Sequence, residues 1–165
     1  MLTPQPIQST YIRYILPAQN GMLASEVNWA ADTRIVETAA GIGFGLAVSQ
    51  GSLSAAGIII GGSAFVGVTR ADPTLARADL APATSPGIDI YPQYDNAGVL
   101  VMGDIWVNCY GNVAANAAVT YDTTTGHLGA AGTTITQAKW MTAAAGGAST
   151  PVLAVLRLGN IAAPR

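Results

Sequence analysis

Apolar and polar residues in this chain alternate over short stretches, and no stretch keeps a helical period for long. Residues 44–50 predict a strand, entered through Gly41, Gly43 and Gly45 and ended at Gly51. Ile58, Ile59 and Ile60 form an apolar run among glycines, suited to a short buried strand. Residues 64–70 read Ala-Phe-Val-Gly-Val-Thr-Arg, a further β segment. Residues 99–102 and 104–110 predict two strands joined at Gly103. In the second of these, Ile105, Val107 and Cys109 alternate with Trp106, Asn108 and Tyr110, so both faces carry apolar groups. That pattern fits a strand covered on both sides or lying at an interface. Residues 118–121, 133–142 and 152–158 complete the set.

Turn chemistry separates these segments. Gly111-Asn112 and Asp122-Thr-Thr-Thr-Gly126 are turn signals, and residues 143–150 form a loop of small side chains. Residues 24–40 give a weak signal, read as a short helix or an irregular turn. Seven or eight short strands with turns between them predict an all-β fold, a single β-sandwich or jelly-roll-like barrel. Residues 21–165 would form this domain, and residues 1–20 an extended N-terminal arm. The arm is broken by Pro4, Pro6 and Pro17 around the aromatic run Tyr11-Ile12-Arg13-Tyr14-Ile15-Leu16. Residues 71–87, with Pro73, Pro82 and Pro86, predict a long loop of the kind that serves a function.

Composition changes the picture in one respect. Only 10% of the 165 residues are charged, against about 25% in ordinary domains. The net charge is −2 and Lys139 is the single lysine. A surface this poor in charge points to a protein covered in part by partners, itself included. Six scattered arginines give no basic stripe for nucleic acid. No apolar run approaches the ~20 residues that cross a bilayer, so no membrane partner is expected. One cysteine, Cys109, excludes an internal disulfide framework and suits synthesis in a reducing cytoplasm.

The chemistry-bearing residues do not converge. His127 is the lone histidine and falls in a turn, and Cys109 reads as a buried hydrophobe. Gly41-Ile-Gly-Phe-Gly45 lacks the spacing and the following helix of a dinucleotide loop. Asp89, Asp95, Asp104 and Asp122 are dispersed as turn residues are, without the ligand spacing of a calcium loop. The expectation is a protein that is not an enzyme and holds no cofactor. Trp29, Tyr11 and Tyr14 are candidate partner contacts, since Trp and Tyr favour interfaces.

The segments taken in order resemble the structural cement, or head decoration, proteins of tailed bacteriophages. The likeness lies in Gly21-Met-Leu-Ala24, Ile42-Gly-Phe-Gly-Leu-Ala-Val48 with Gly51, and Phe65-Val-Gly-Val-Thr69. It continues in Gly103-Asp-Ile-Trp-Val107, Val113-Ala-Ala-Asn-Ala-Ala-Val119, Thr125-Gly-His-Leu128, Ala138-Lys-Trp140 and Leu153-Ala-Val-Leu-Arg-Leu158. Two departures stand out: Asn116-Ala117 replaces a usual glycine-aspartate turn, and residues 54–62 are longer than the family pattern. The resemblance implies a protein on the outer surface of an icosahedral head, bridging neighbouring major capsid protein subunits as a homodimer or homotrimer. Its contacts would then fall on Tyr11, Arg13 and Tyr14 of the arm, on Trp29, and on Pro73, Leu75 and Arg77 of the long loop. A ligand- or carbohydrate-binding β module of a phage fibre is the alternative, though fibres usually show more aromatic platforms and repeats.

Overall fold

The computed structural model describes residues 18–72 and 89–159. Among the described residues there is no helix, and the all-β expectation holds as a closed barrel with further strands. The strands are β1 (Ala30–Val36), β2 (Ile42–Gly43), β3 (Ala47–Gln50), β4 (Gly57–Ile60), β5 (Phe65–Thr69) and β6 (Ile90–Tyr91). They continue with β7 (Asn96–Cys109), β8 (Asn112–Val113), β9 (Ala118–Tyr121), β10 (Thr133–Trp140), β11 (Ala144–Ala145) and β12 (Val152–Leu158).

One strand organises the rest. The first half of β7 is paired on both edges, with Leu100 opposite Ala31 of β1 and opposite Val68 of β5. From β5 the sheet runs through β3 and β4 back to β1, which closes a ring. Its β1–β4 contact is parallel, with Ile35 opposite Gly57. The second half of β7 pairs with β12, from Gly103–Leu158 to Cys109–Val152, and β10 and β9 follow. Leu128 bridges to both Tyr121 and Cys109, which brings the far end of this half back toward β7.

The residues expected as two strands joined at Gly103 are therefore one strand of 14 residues. The ladder to β1 ends at Met102 and the ladder to β12 starts at Gly103, so pairing passes between partners without a break. Gly103 has φ 124°, and a Cβ there would lie 2.8 Å from the Cβ of Trp29, so only glycine fits.

A second correction concerns residues 24–40. They hold strand β1 rather than a helix, because Thr33, Ile35 and Val36 suit a half-buried pleat and find partners on both edges. Residues 57–60, part of the stretch longer than the family pattern, pair as β4. Asn116 takes φ 66°, the left-handed conformation that Asn tolerates best after glycine.

Two apolar clusters fill the molecule. Val36, Ile42, Phe44, Val48, Ile58, Val66, Tyr91, Ala97 and Val99 form one. The other gathers Leu100, Ile105, Val107, Cys109, Tyr121, Leu128, Trp140, Leu156 and their neighbours. Residues 20–24 close the remaining edge of β7: Gly21 donates to the Trp106 carbonyl, Trp106 to Met22, and Ala24 to Asp104. Asn20 supplies the last rung with its side chain. Its Oδ1 accepts from the Asn108 N–H (2.8 Å) and its Nδ2 donates to the Phe44 carbonyl (2.6 Å). One amide thus ties the edge of β7 to the loop between β2 and β3.

Replacing Asn20 with Ala leaves both backbone groups without a partner, at an expected cost of about 2–4 kcal/mol. Urea unfolding measures this, and a loss below about 0.5 kcal/mol would show that water restores both bonds.

Candidate interaction surface

Of the residues expected at contacts, Trp29 falls among those described. Tyr11, Arg13, Tyr14, Pro73, Leu75 and Arg77 lie outside the described residues. Trp29 precedes β1, keeps 40% of its surface exposed and packs its Cβ over Gly103. The Arg70 guanidinium sits 5.2 Å from the centre of its ring, a cation–π contact that holds the indole in place. Val27 is 72% exposed, and it borders a hollow of about 350 Å³ with Gly103, Asp104 and Arg157. Arg157 of β12 grips Asp104 of β7 with two bonds, Nε to Oδ1 at 2.7 Å and Nη2 to Oδ2 at 2.8 Å. Donating to this carboxylate raises the Arg157 pKa.

A second apolar site was not legible in the sequence. Among the described residues Leu53 and Tyr94 are, with Val27, the most exposed large apolar residues, at 74% and 68%. Both are held from the end of β1. The Glu37 carboxylate accepts the backbone N–H groups of Ser52 (2.9 Å), Leu53 (3.1 Å) and Ser54 (3.0 Å). Gly51 and Gly57 flank it so closely that a Cβ at either would meet the carboxylate oxygens. Gln50 Nε2 and Arg34 Nη1 secure the same loop from below by donating to the Ala55 carbonyl. Tyr94 has φ 66°, a strained setting for an aromatic residue, and its N–H donates to the Val36 carbonyl. Gln93 Nε2 donates to the Glu37 carbonyl. The backbone that carries two exposed apolar side chains is thereby held from consecutive residues, Val36 and Glu37. The available sequence signal was a lone leucine in Gly-Ser-Leu-Ser-Ala-Ala-Gly and a lone tyrosine in Pro-Gln-Tyr-Asp-Asn.

The remaining candidates have structural settings. Cys109 is buried, and its thiol contacts the Gly111 carbonyl at 3.2 Å. His127 stacks flat on Tyr110, with centroids 3.7 Å apart and 1° between planes. Asp122 Oδ1 accepts from Thr124 and Thr125 N–H, closing the turn expected at 122–126. Among the described residues no group of three or more His, Cys, Asp or Glu is placed to hold a metal ion.

Known proteins share this chain's pattern. The family model described as "Structural cement protein (E217 gp24/Pam3 gp6)" matches residues 7–158. The fold is similar to a chain of the solved structure "The capsid of Myoviridae Phage XM1", with a TM-score of 0.59 at 15% identity. That match covers 94% of this chain and 98% of the other. No curated protein matches the sequence.

Two predictions follow from the local geometry. Glu37→Ala removes the acceptor of three N–H groups and should speed proteolysis within residues 52–56 at least about tenfold. Unchanged cleavage would mean that Gln50 and Arg34 hold the loop alone. The second concerns pH. Burial raises the pKa of the Cys109 thiol and of the Tyr91 and Tyr110 phenols. Each group keeps its proton longer in the folded chain, so its stabilisation is complete below the unfolded value and lost as pH rises toward the folded one. The backbone N–H groups of Thr125 and Thr124 lower the pKa of Asp122, whose contribution is instead lost in acid. The melting temperature should therefore fall above about pH 9, where thiols and phenols begin to titrate in unfolded chains. Calorimetry from pH 7 to 11 checks this, and a flat profile would contradict it.

Proposed function

The chain belongs to the structural cement protein family, and we propose that it binds the outer surface of an icosahedral phage head, bridges neighbouring major capsid protein subunits and stiffens the shell. The observation that carries this reading is the family match over residues 7–158, which takes in every described strand and part of the expected arm. Exposed apolar groups on a hydrogen-bonded backbone support it: Leu53 and Tyr94, and Val27 and Trp29. A preorganised backbone loses little freedom on docking, so more of each contact appears as affinity.

In this role the protein is a non-enzymatic part of the virion, made in the host cytoplasm and working without a cofactor. Its partners are the major capsid protein and further copies of itself, in a homodimer or homotrimer, and neither nucleic acid nor membrane. Tyr11, Arg13 and Tyr14, together with Trp29, Pro73, Leu75 and Arg77, would carry contacts to capsid or partner copies. The test mixes purified protein with purified shells that lack it. Saturable co-sedimentation and a higher shell disruption temperature are expected. A protein that neither sediments with shells nor stabilises them is not a cement protein.

A narrower outcome concerns the arm. Deleting residues 1–17 should weaken shell binding at least about tenfold, near 1.4 kcal/mol, while moving the melting temperature by only a few degrees. If the melting temperature drops steeply and binding per folded molecule is retained, the segment belongs to the core.

A further inference from the structure

Asn20 is followed by Gly21, and no other asparagine of the chain precedes a glycine. Such a pair is labile in a free chain, because glycine has no Cβ to keep its backbone nitrogen from the asparagine Cγ. The fold nevertheless needs both residues. The Asn20 amide links the Asn108 N–H to the Phe44 carbonyl. Gly21 has φ 82°, and a Cβ there would lie 2.7 Å from the Ala71 nitrogen. Gly45 makes room for the same amide, since a Cβ at Gly45 would collide with the Asn20 side chain.

In the folded chain each group that such a reaction uses is engaged. The Gly21 N–H donates to the Trp106 carbonyl at 2.7 Å. Asn20 Oδ1 and Nδ2 are both bonded, so the side chain cannot turn toward the Gly21 nitrogen while those bonds last. The hold is local. Residues 20–24 meet β7 through the bonds of Gly21, Met22 and Ala24 and through the half-buried Leu23, while Met22 is 40% exposed. A short segment on a strand edge opens more readily than the long β7–β12 ladder on the other side.

We propose that Asn20 is a deamidation site, shut while residues 20–24 lie on β7 and reactive when they lift. The Gly21 nitrogen then bonds to the Asn20 Cγ as the bond from Cγ to Nδ2 breaks. The Gly21 proton leaves with Nδ2 as ammonia, and a cyclic succinimide remains. Water opens the ring at either carbonyl, giving aspartate or isoaspartate. One water is consumed, one ammonia is released, and nothing is oxidised or reduced. Neither product restores the rung. Aspartate has no N–H for the Phe44 carbonyl and sets a negative charge against its oxygen. Isoaspartate routes the main chain through Cγ, and the added backbone atom moves Gly21 out of line with Trp106. A transient opening of this edge thereby becomes permanent.

The test holds the full chain in mildly alkaline buffer, folded and in urea, and follows conversion of amide to acid by peptide mapping and mass spectrometry. In urea Asn20 should convert before any other asparagine. In the folded chain its conversion should be at least about tenfold slower. Leu23→Ala, which loosens the segment without touching the reacting groups, should speed conversion at least about threefold in the folded chain and leave the rate in urea unchanged. In the isolated isoaspartate product the Trp106 amide should exchange at least about tenfold faster than in the unreacted chain. Equal Asn20 rates folded and in urea overturn the proposal, as does another asparagine converting first in urea. So does a Trp106 amide that stays equally protected in the isoaspartate product.

Discussion

Strand β7 has to complete two structures at once, and the rest of the molecule follows from how it does so. Its first half is gripped by β1 and β5, its second by β12 and residues 20–24. Ala97 and Val99 serve one core, while Ile105, Val107 and Cys109 serve the other. Pairing is handed over at Gly103, where φ 124° and the closeness of Trp29 leave no room for a side chain. A single backbone therefore transmits the position of each core to the other, and loosening either end would disturb both. The asparagine rung at Asn20 matters for the same reason: it is anchored on β7 and reaches the Phe44 carbonyl beside the other core.

What the sequence could show depended on the range of the interaction. Ile105, Val107 and Cys109 alternate with Trp106, Asn108 and Tyr110, so burial on both sides was legible from adjacent positions. The turn at 122–126 was legible too, because Asp122 bonds to residues two and three places on. Strand β1 was hidden: Ala30 and Ala31 carry little β signal, and Arg34 is buried only because Asp32, Gln50 and Ala55 receive its guanidinium. Glu37 was equally opaque, since its acceptors' partners lie 15 to 17 residues away. Trp29 was picked out by residue type, but its support by Arg70 spans the whole β1–β5 portion of the chain. The ordered family likeness recovered what local patterns could not, because it compares the sequence of elements rather than any single one.

The scarcity of charge acquires a meaning once the charged groups are located. Glu37 closes a loop, Asp122 closes a turn, Arg34 joins β1 to the 51–57 loop, and Asp104 with Arg157 clamps β7 to β12. These charges act as fasteners for backbone and strand, where a charge-assisted bond is worth more than a neutral one. With only 10% of residues charged, solvation of the surface also draws on neutral polar groups such as Thr, Ser and Asn.

A neutral surface carrying a few apolar points on a hydrogen-bonded backbone suits weak, repeated contact better than one strong contact. Large exposed apolar patches would make the free chain aggregate before it met its target. Leu53 and Tyr94, or Val27 and Trp29, are too few for that, and one such pair would supply only modest affinity. On a surface that repeats the same site many times, linked contacts add through effective concentration without any new chemistry. Fixing the loops beforehand, at the cost of the strained Tyr94 backbone, lowers the ordering penalty of every contact made. The fastening by Glu37 is thus the step at which a stabilising interaction of the fold becomes a property of the surface.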